Sequence, residues 1–283
     1  MPSFISQIAT LSLLLSSTLF ANASPIEKRA FSAVEGARIQ SAAQLSMAAY
    51  GDPNSCASVI PGTTIISQFK APLGQKGFIA KVPSLKTVVI QFTGTSSGQN
   101  VFTDTQFLSI PLNNAACGSD CRGFAGAVIN YNDAKKTTNN FAAAFAALEP
   151  GYTLTITGHS LGGAVAAIAG IDLAGKATYL ITFGEFRVGN PASAKYIDSK
   201  YGANTYRVVH AADSIPAVVP RGLFNQHHGR GFLLTGTTLS TLKECSGPEA
   251  FGCTGGNNLG DHLVYFTNTG NCGTSDPTRG ITV

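Results

Sequence analysis

Residues 152–174, YTLTITGHSLGGAVAAIAGIDLA, leave this chain few folds to choose from. A β-type run over 152–157 meets Gly158-His159-Ser160-Leu161-Gly162, and a run of small residues over 163–174 follows at once. The pattern predicts a strand, a sharp turn and a helix, with Ser160 at the apex in a strained conformation. Gly158 and Gly162 flank the serine because a side chain at either position collides with the neighbouring strand or helix. Gly163, Ala164, Ala166, Ala167 and Ala169 let the helix approach a sheet closely. Its N-terminus turns free N–H groups and the positive end of its dipole toward the serine. Ser160 presented in this way is a candidate nucleophile; the bland alternative is a glycine-rich turn that merely carries a hydroxyl.

The rest of the chain alternates in the same style. Apolar spacing over 31–50 predicts an amphipathic helix ended by Gly51-Asp52-Pro53, with a packing role and no chemistry. Strands are predicted at 63–70, 77–82, 86–93, 178–183 and 206–210, and one long helix at 123–148. Alternation of this kind implies an α/β fold in one domain, a mostly parallel central sheet flanked by helices. A chain of 283 residues with 44% hydrophobic content is long enough to fill such a core. The net charge of +4 is modest and the basic residues are scattered, which argues against a nucleic-acid partner.

A serine hydroxyl needs a base, usually histidine, held by a carboxylate. In the strand–turn–helix setting the chain order is Ser, then Asp or Glu, then His. There are five histidines. His159 adjoins Ser160 and points away from it, a structural position. His210 lies inside a strand ahead of the candidate acid. His227 and His228 fit a loop-and-strand role and stay as alternatives. His262 comes last, after a Gly/Asn-rich loop, and is the candidate base. Asp213 lies just beyond the C-terminal end of a strand, where reacting groups gather in open α/β sheets. Asp172 falls on the helix after Ser160, Asp198 in a polar, exposed run, and Asp261 too close to His262 in sequence to orient its ring. Asp213 is therefore the candidate acid. An oxyanion needs two N–H donors: Leu161 supplies one, and Thr95, in the turn Gly94-Thr95-Ser96-Ser97-Gly98 after the 86–93 strand, is the candidate for the other.

The N-terminus reads as a secretion signal at 1–23, with a short apolar core at 8–15 and Ala21-Asn22-Ala23 as cleavage site. No Lys or Arg precedes that core. A dibasic-terminated pro-segment follows at 24–29, which leaves 30–283 as the mature domain. Six cysteines suit an oxidising compartment. Proximity pairs Cys117 with Cys121 and Cys245 with Cys253 and leaves Cys56 for Cys272, one of 15 connectivities. The rival reading, a zinc site, lacks any C-x-x-C pair.

Taken together the pieces resemble the fungal class 3 lipase family, which holds filamentous-fungal triacylglycerol lipases and lipase-like feruloyl esterases. The resemblance runs from about Phe31 to the C-terminus. It is carried by Phe92-Thr93-Gly94-Thr95, by residues 157–162, by residues 183–190 (FGEFRVGN), by 210–216 and by 261–266 (DHLVYF). It implies an α/β-hydrolase fold, Ser160 as nucleophile, Asp213 as acid, His262 as base, Thr95 and Leu161 at the oxyanion hole, and the same three disulfides. It implies no cofactor or metal, a lipid or small-molecule ester as substrate, transient contact with a lipid interface, and a monomer. The chain departs from the family at Phe186, where Pro is usual, at Thr93, where Arg is usual, and at Cys121-Arg122, where Val-His is common. The lid implied at 96–107 is polar, so interfacial activation is expected to be modest. Two other functions remain at this point: an aryl-ester esterase such as a feruloyl esterase, and a non-catalytic secreted binding protein on a hydrolase scaffold.

Overall fold

The β-branched run Thr87–Phe92 is buried at every position, and so is Thr205–His210. Strands with no wet face belong in the middle of a sheet covered on both sides. The computed structural model describes residues 31–95, 108–221, 225–270 and 272. The secretion signal at 1–23, the pro-segment at 24–29 and the lid at 96–107 lie outside the described residues.

In chain order the elements are α1 (Ala33–Ala48), β1 (Thr64–Lys70), β2 (Lys76–Val82), β3 (Thr87–Phe92), β4 (Ser109–Pro111), β5 (Arg122–Phe124), α2 (Ala125–Thr137), α3 (Ala142–Ala146), β6 (Thr153–His159) and α4 (Leu161–Asp172). There follow β7 (Tyr179–Phe183), α5 (Pro191–Tyr201), β8 (Thr205–His210), β9 (Gly231–Leu234), β10 (Leu242–Glu244), β11 (Val264–Tyr265) and β12 (Thr267–Asn268). The main sheet has eight strands in the order β1-β2-β3-β6-β7-β8-β9-β10. Its centre, β3-β6-β7-β8-β9, is parallel, and β1, β2 and β10 are antiparallel additions at the edges. This is an α/β-hydrolase fold, as the alternation of elements implied.

Alternating side chains divide the core between two faces. Leu180 joins Ile156, Ala164, Val165 and Ile168 under α4 and α2, whereas Ile181 and Phe183 join Ile39, Ala42, Ala43 and Met47 of α1. Ten consecutive residues of α4, Gly162 to Ile171, are buried. The small residues at 162–170 bring that helix close to β6 and β7, and so fix where the β6–α4 turn stands.

The helix expected over 123–148 is three pieces. Residues 122–124 form β5 against β4, and α2 and α3 are separated by Asn139, Asn140 and Phe141, whose φ values are 48°, 57° and 58°. Left-handed backbone costs about 1–2 kcal/mol per residue outside glycine, and asparagine tolerates it best. Burial of Phe141 offsets that cost: it is 0% exposed, with its ring 5.7 Å from Phe92 and 6.1 Å from Tyr131. A second correction concerns Asp198. It sits half-buried on α5, a helix capped by the Asn190 side chain on Ser193 N–H with Pro191 in its first turn.

Disulfides join Cys56 to Cys272, Cys117 to Cys121 and Cys245 to Cys253, with Cα–Cα distances of 5.0, 5.9 and 6.4 Å. Among the described residues no helix is long and apolar enough to cross a membrane.

Candidate active site

Ser160 stands between β6 and α4 with φ 59° and ψ −130°. That conformation is costly for a residue with a side chain, and the neighbours hold it. Ser160 donates its N–H to Phe183 O at 2.9 Å and accepts from Gly163 and Ala164 N–H at 2.9 and 3.2 Å. The glycines are obligatory. A Cβ on Gly158 would lie 2.2 Å from Gly162 O, and one on Gly162 would lie 2.1 Å from Phe92 O. Leu161 opens α4, so its N–H belongs to the first turn, where a helix leaves its donors unpaired.

Asp213 follows β8 through a turn in which Ala211 takes φ 42°. It is 0% exposed, and each of its carboxylate oxygens is engaged. Oδ1 accepts from Ile215 N–H at 2.8 Å, and Oδ2 accepts from His262 Nδ1 at 2.8 Å and from the Tyr265 hydroxyl. His262 arrives on the short helical turn Gly260–Leu263. Asp261 anchors that turn: its Oδ2 accepts from Ala212 N–H at 2.8 Å, and its carbonyl lies 3.0 Å from His210 Nδ1. Asp261 therefore holds the backbone beside Asp213 and leaves the His262 ring to Asp213. Because Asp213 accepts at Nδ1, the Nε2 of a neutral His262 ring is the open, basic nitrogen.

Gly184 links this pair to Ser160. It follows Phe183, the acceptor for Ser160 N–H, and takes φ 56°. A Cβ there would meet His262 Cε1 at 2.8 Å and Asp213 Oδ2 at 2.9 Å. Ser160, Asp213 and His262 thus converge at the C-terminal ends of β6, β7 and β8. The same edge carries the end of β3. A Cβ on Gly94 would lie 3.1 Å from Ser160 Cβ, and half-buried Thr95 is the next residue.

Several of the other titratable candidates are accounted for by local contacts, and His227 is buried. His159 is buried, its Nε2 2.8 Å from His262 O and its ring centroid 4.3 Å from that of His262. Burial, and then the neighbouring His262, push its pKa well below the usual histidine value, so the ring is neutral. His228 meets the buried Glu185 carboxylate at 3.1 Å. Asp172 accepts from Tyr131 and Lys135. Phe186 fills core space with its ring 5.0 Å from Phe124, and Arg122 donates to Ser109 O.

Tyr265 escaped the sequence reading although it lies inside the 261–266 stretch, three residues after His262. Its hydroxyl pKa is raised well above the usual value by burial and then by the Asp213 charge, so it stays protonated and donates.

Residues 89–222 match the family model described as Lipase (class 3). Over that span the chain is similar to the class 3 lipases. The matched span contains Thr95, Ser160, Leu161 and Asp213, and His262 lies beyond it. Among its relatives is a lipase of Rhizopus niveus, 30% identical over 232 residues, covering 77% of this chain and 58% of that protein. The chain thus spans less than two thirds of that relative's length. A secreted mono- and diacylglycerol lipase of Fusarium solani is 28% identical over 210 residues, covering 70% of this chain and 62% of that protein. A solved triacylglycerol lipase, whose catalytic centre is formed by a serine protease triad, aligns with TM-score 0.70 at 27% identity. That alignment covers 87% of this chain and 100% of the solved one.

Proposed function

We propose that this protein is a class 3 lipase, a secreted serine carboxylic ester hydrolase that cleaves acylglycerols and related lipid esters through an acyl-enzyme. Ser160 Oγ attacks the ester carbonyl carbon while His262 Nε2 takes the hydroxyl proton. Negative charge moves to the carbonyl oxygen and is received by the N–H groups of Thr95 and Leu161; one such donor is worth about 100- to 1,000-fold in rate. His262 then protonates the departing alkoxide, which leaves as the alcohol. Water attacks the acyl-Ser160 ester, gives its proton to His262, and the acid departs as Ser160 regains its hydrogen. Asp213, buried and charged, holds His262 with Nε2 exposed to the reaction and stabilises the imidazolium formed in each half.

One observation carries this reading: the His262–Asp213 hydrogen bond of 2.8 Å closes directly over Gly184, whose neighbour Phe183 carries the strained Ser160. Secretion is supported by three disulfides, which persist in oxidising compartments, and by the Fusarium solani relative, which is named as secreted. Acylglycerol substrates are supported by that same name and by the triacylglycerol lipase to which the fold aligns.

The test is a substrate panel of tributyrin, a long-chain triglyceride, a monoglyceride and methyl ferulate, run on the wild type and on Ser160→Ala. Hydrolysis of the acylglycerols, lost by about 10,000-fold or more in Ser160→Ala, is expected. Turnover of methyl ferulate alone would replace the lipid-ester assignment with an aryl-ester one. A folded protein inert toward all four would be read as the non-catalytic binding protein.

A further inference from the structure

Tyr50, in the turn that follows α1, and His159, the residue before the reactive serine, meet across 109 positions of sequence. The Tyr50 hydroxyl lies 2.7 Å from His159 Nδ1, and His159 Nε2 lies 2.8 Å from the carbonyl oxygen of His262. A carbonyl only accepts, so Nε2 carries the proton of the neutral His159 ring and Nδ1 is the acceptor for Tyr50. The same hydroxyl packs against the Gly94 backbone, where a Cβ would sit 2.1 Å from it. The result is one directed chain, Tyr50 O–H to His159 Nδ1 and His159 Nε2–H to His262 O, with the Tyr50 hydroxyl seated against the Gly94 backbone. One end rests against the backbone beside Thr95, and the other is the backbone of the candidate base. The His159 ring also lies against the His262 ring at 4.3 Å, tilted 34°.

We propose that Tyr50 and His159 are positioning residues that set the distance between the oxyanion loop and the His262 imidazole. The inference rests on the ester-hydrolase reading above. His262 rides on a short turn rather than on a strand of the central sheet. Its side chain is held by Asp213, its own carbonyl by His159, and the start of the turn by Asp261. Removing the His159 tie lets the His262 end of the turn shift while the Asp213 and Asp261 bonds persist. Neutral His159 suits this role, because a second positive ring at 4.3 Å would oppose the imidazolium formed on His262 during turnover. Hydrogen bonds in a buried chain reinforce one another, so losing the Tyr50 link weakens the His159 link as well.

The experiment compares Tyr50→Phe, His159→Gln, His159→Leu and the double variant Tyr50→Phe/His159→Leu, with Tyr131→Phe as a reference. Tyr131→Phe likewise removes a largely buried tyrosine hydroxyl, one bonded to Asp172, and tests the cost of such a loss away from the site. On a soluble short-chain ester, Tyr50→Phe is expected to lower kcat about 10- to 100-fold with KM little changed, the cost of slight misplacement of a reacting group. His159→Gln keeps an N–H donor for His262 O and is expected to recover part of what His159→Leu loses. The double variant is expected to be no slower than His159→Leu. The downfield proton resonance of the His262 Nδ1–H···Asp213 bond should move in Tyr50→Phe and stay in place in Tyr131→Phe. A kcat for Tyr50→Phe equal to that of Tyr131→Phe, at matched thermal stability, would overturn the inference. Full activity in Ser160→Ala would instead overturn the reading on which it rests. Where the His159 variants fail to fold, Tyr50→Phe, which keeps its ring, decides the matter alone.

Discussion

Replacing Tyr265 by Phe removes one oxygen atom from the centre of the site and leaves the ring in place. The ring packs 5.7 Å from Phe183 and 5.4 Å from His159, so the shape of the core is kept. The lost hydroxyl makes two contacts. It donates to Asp213 Oδ2 and accepts from His210 N–H at 3.1 Å. A hydrogen bond to a charged group contributes about 1.5–3 kcal/mol, and a buried N–H left without a partner costs about 1–3 kcal/mol. The two share one oxygen, so a combined loss of about 3 kcal/mol is expected. For a domain of this size, that lowers Tm by about 6–12 °C. Calorimetry reads the effect. A Tm within about 2 °C of wild type would refute the reasoning, since that is less than the smallest loss that one such bond allows.

Two further predictions concern the turn and the buried histidines. Gly162→Ala places a Cβ 2.1 Å from Phe92 O and must push α4 off β3, so a loss of about 3 kcal/mol or more is expected in urea denaturation. Gly175→Ala, at φ 84° with open space around the new Cβ, should cost only about 1–2 kcal/mol; equal losses at both sites would contradict the close approach of helix and strand. His159 and His227 are held neutral, the first by burial and then His262, the second by burial and then Arg207 and Arg187. Their folded pKa values lie below the unfolded value of about 6.5, so the unfolded chain binds more protons as pH falls. Their contribution is complete above about pH 6.5 and is lost below it, each approaching about 1.4 kcal/mol per pH unit. Denaturation midpoints that stay flat between about pH 6.5 and 5 would contradict this.

Much of the architecture was legible because it is written in local patterns. The β-branched runs at 87–92 and 205–210, the small-residue helix α4 and the two glycines around Ser160 are each dictated by contacts within or next to the segment. The break between α2 and α3 was not legible. Phe141 keeps helical spacing with its neighbours, and only the core pocket made by Phe92, Phe69 and Tyr131 draws it into a left-handed conformation. The helix α5 carries a start signal in Asn190-Pro191, but its sequence is polar enough to read as a surface run. At the site, Ser160 was visible from its turn alone, whereas Asp213 and His262 were inferred from chain order and family resemblance. The contacts of Tyr50, His159 and Tyr265 were invisible for one reason: each joins segments that only the folded sheet brings together.

The central claim is that Ser160 is a nucleophile activated by His262 and Asp213. It is tested most directly by treating the folded protein with a serine-directed alkyl phosphonate and locating the adduct by peptide mass spectrometry. One equivalent on Ser160 is predicted, formed far more slowly in His262→Ala and Asp213→Asn and absent in Ser160→Ala. No adduct on the folded wild type, or one that maps to another residue and survives in Ser160→Ala, would contradict the account.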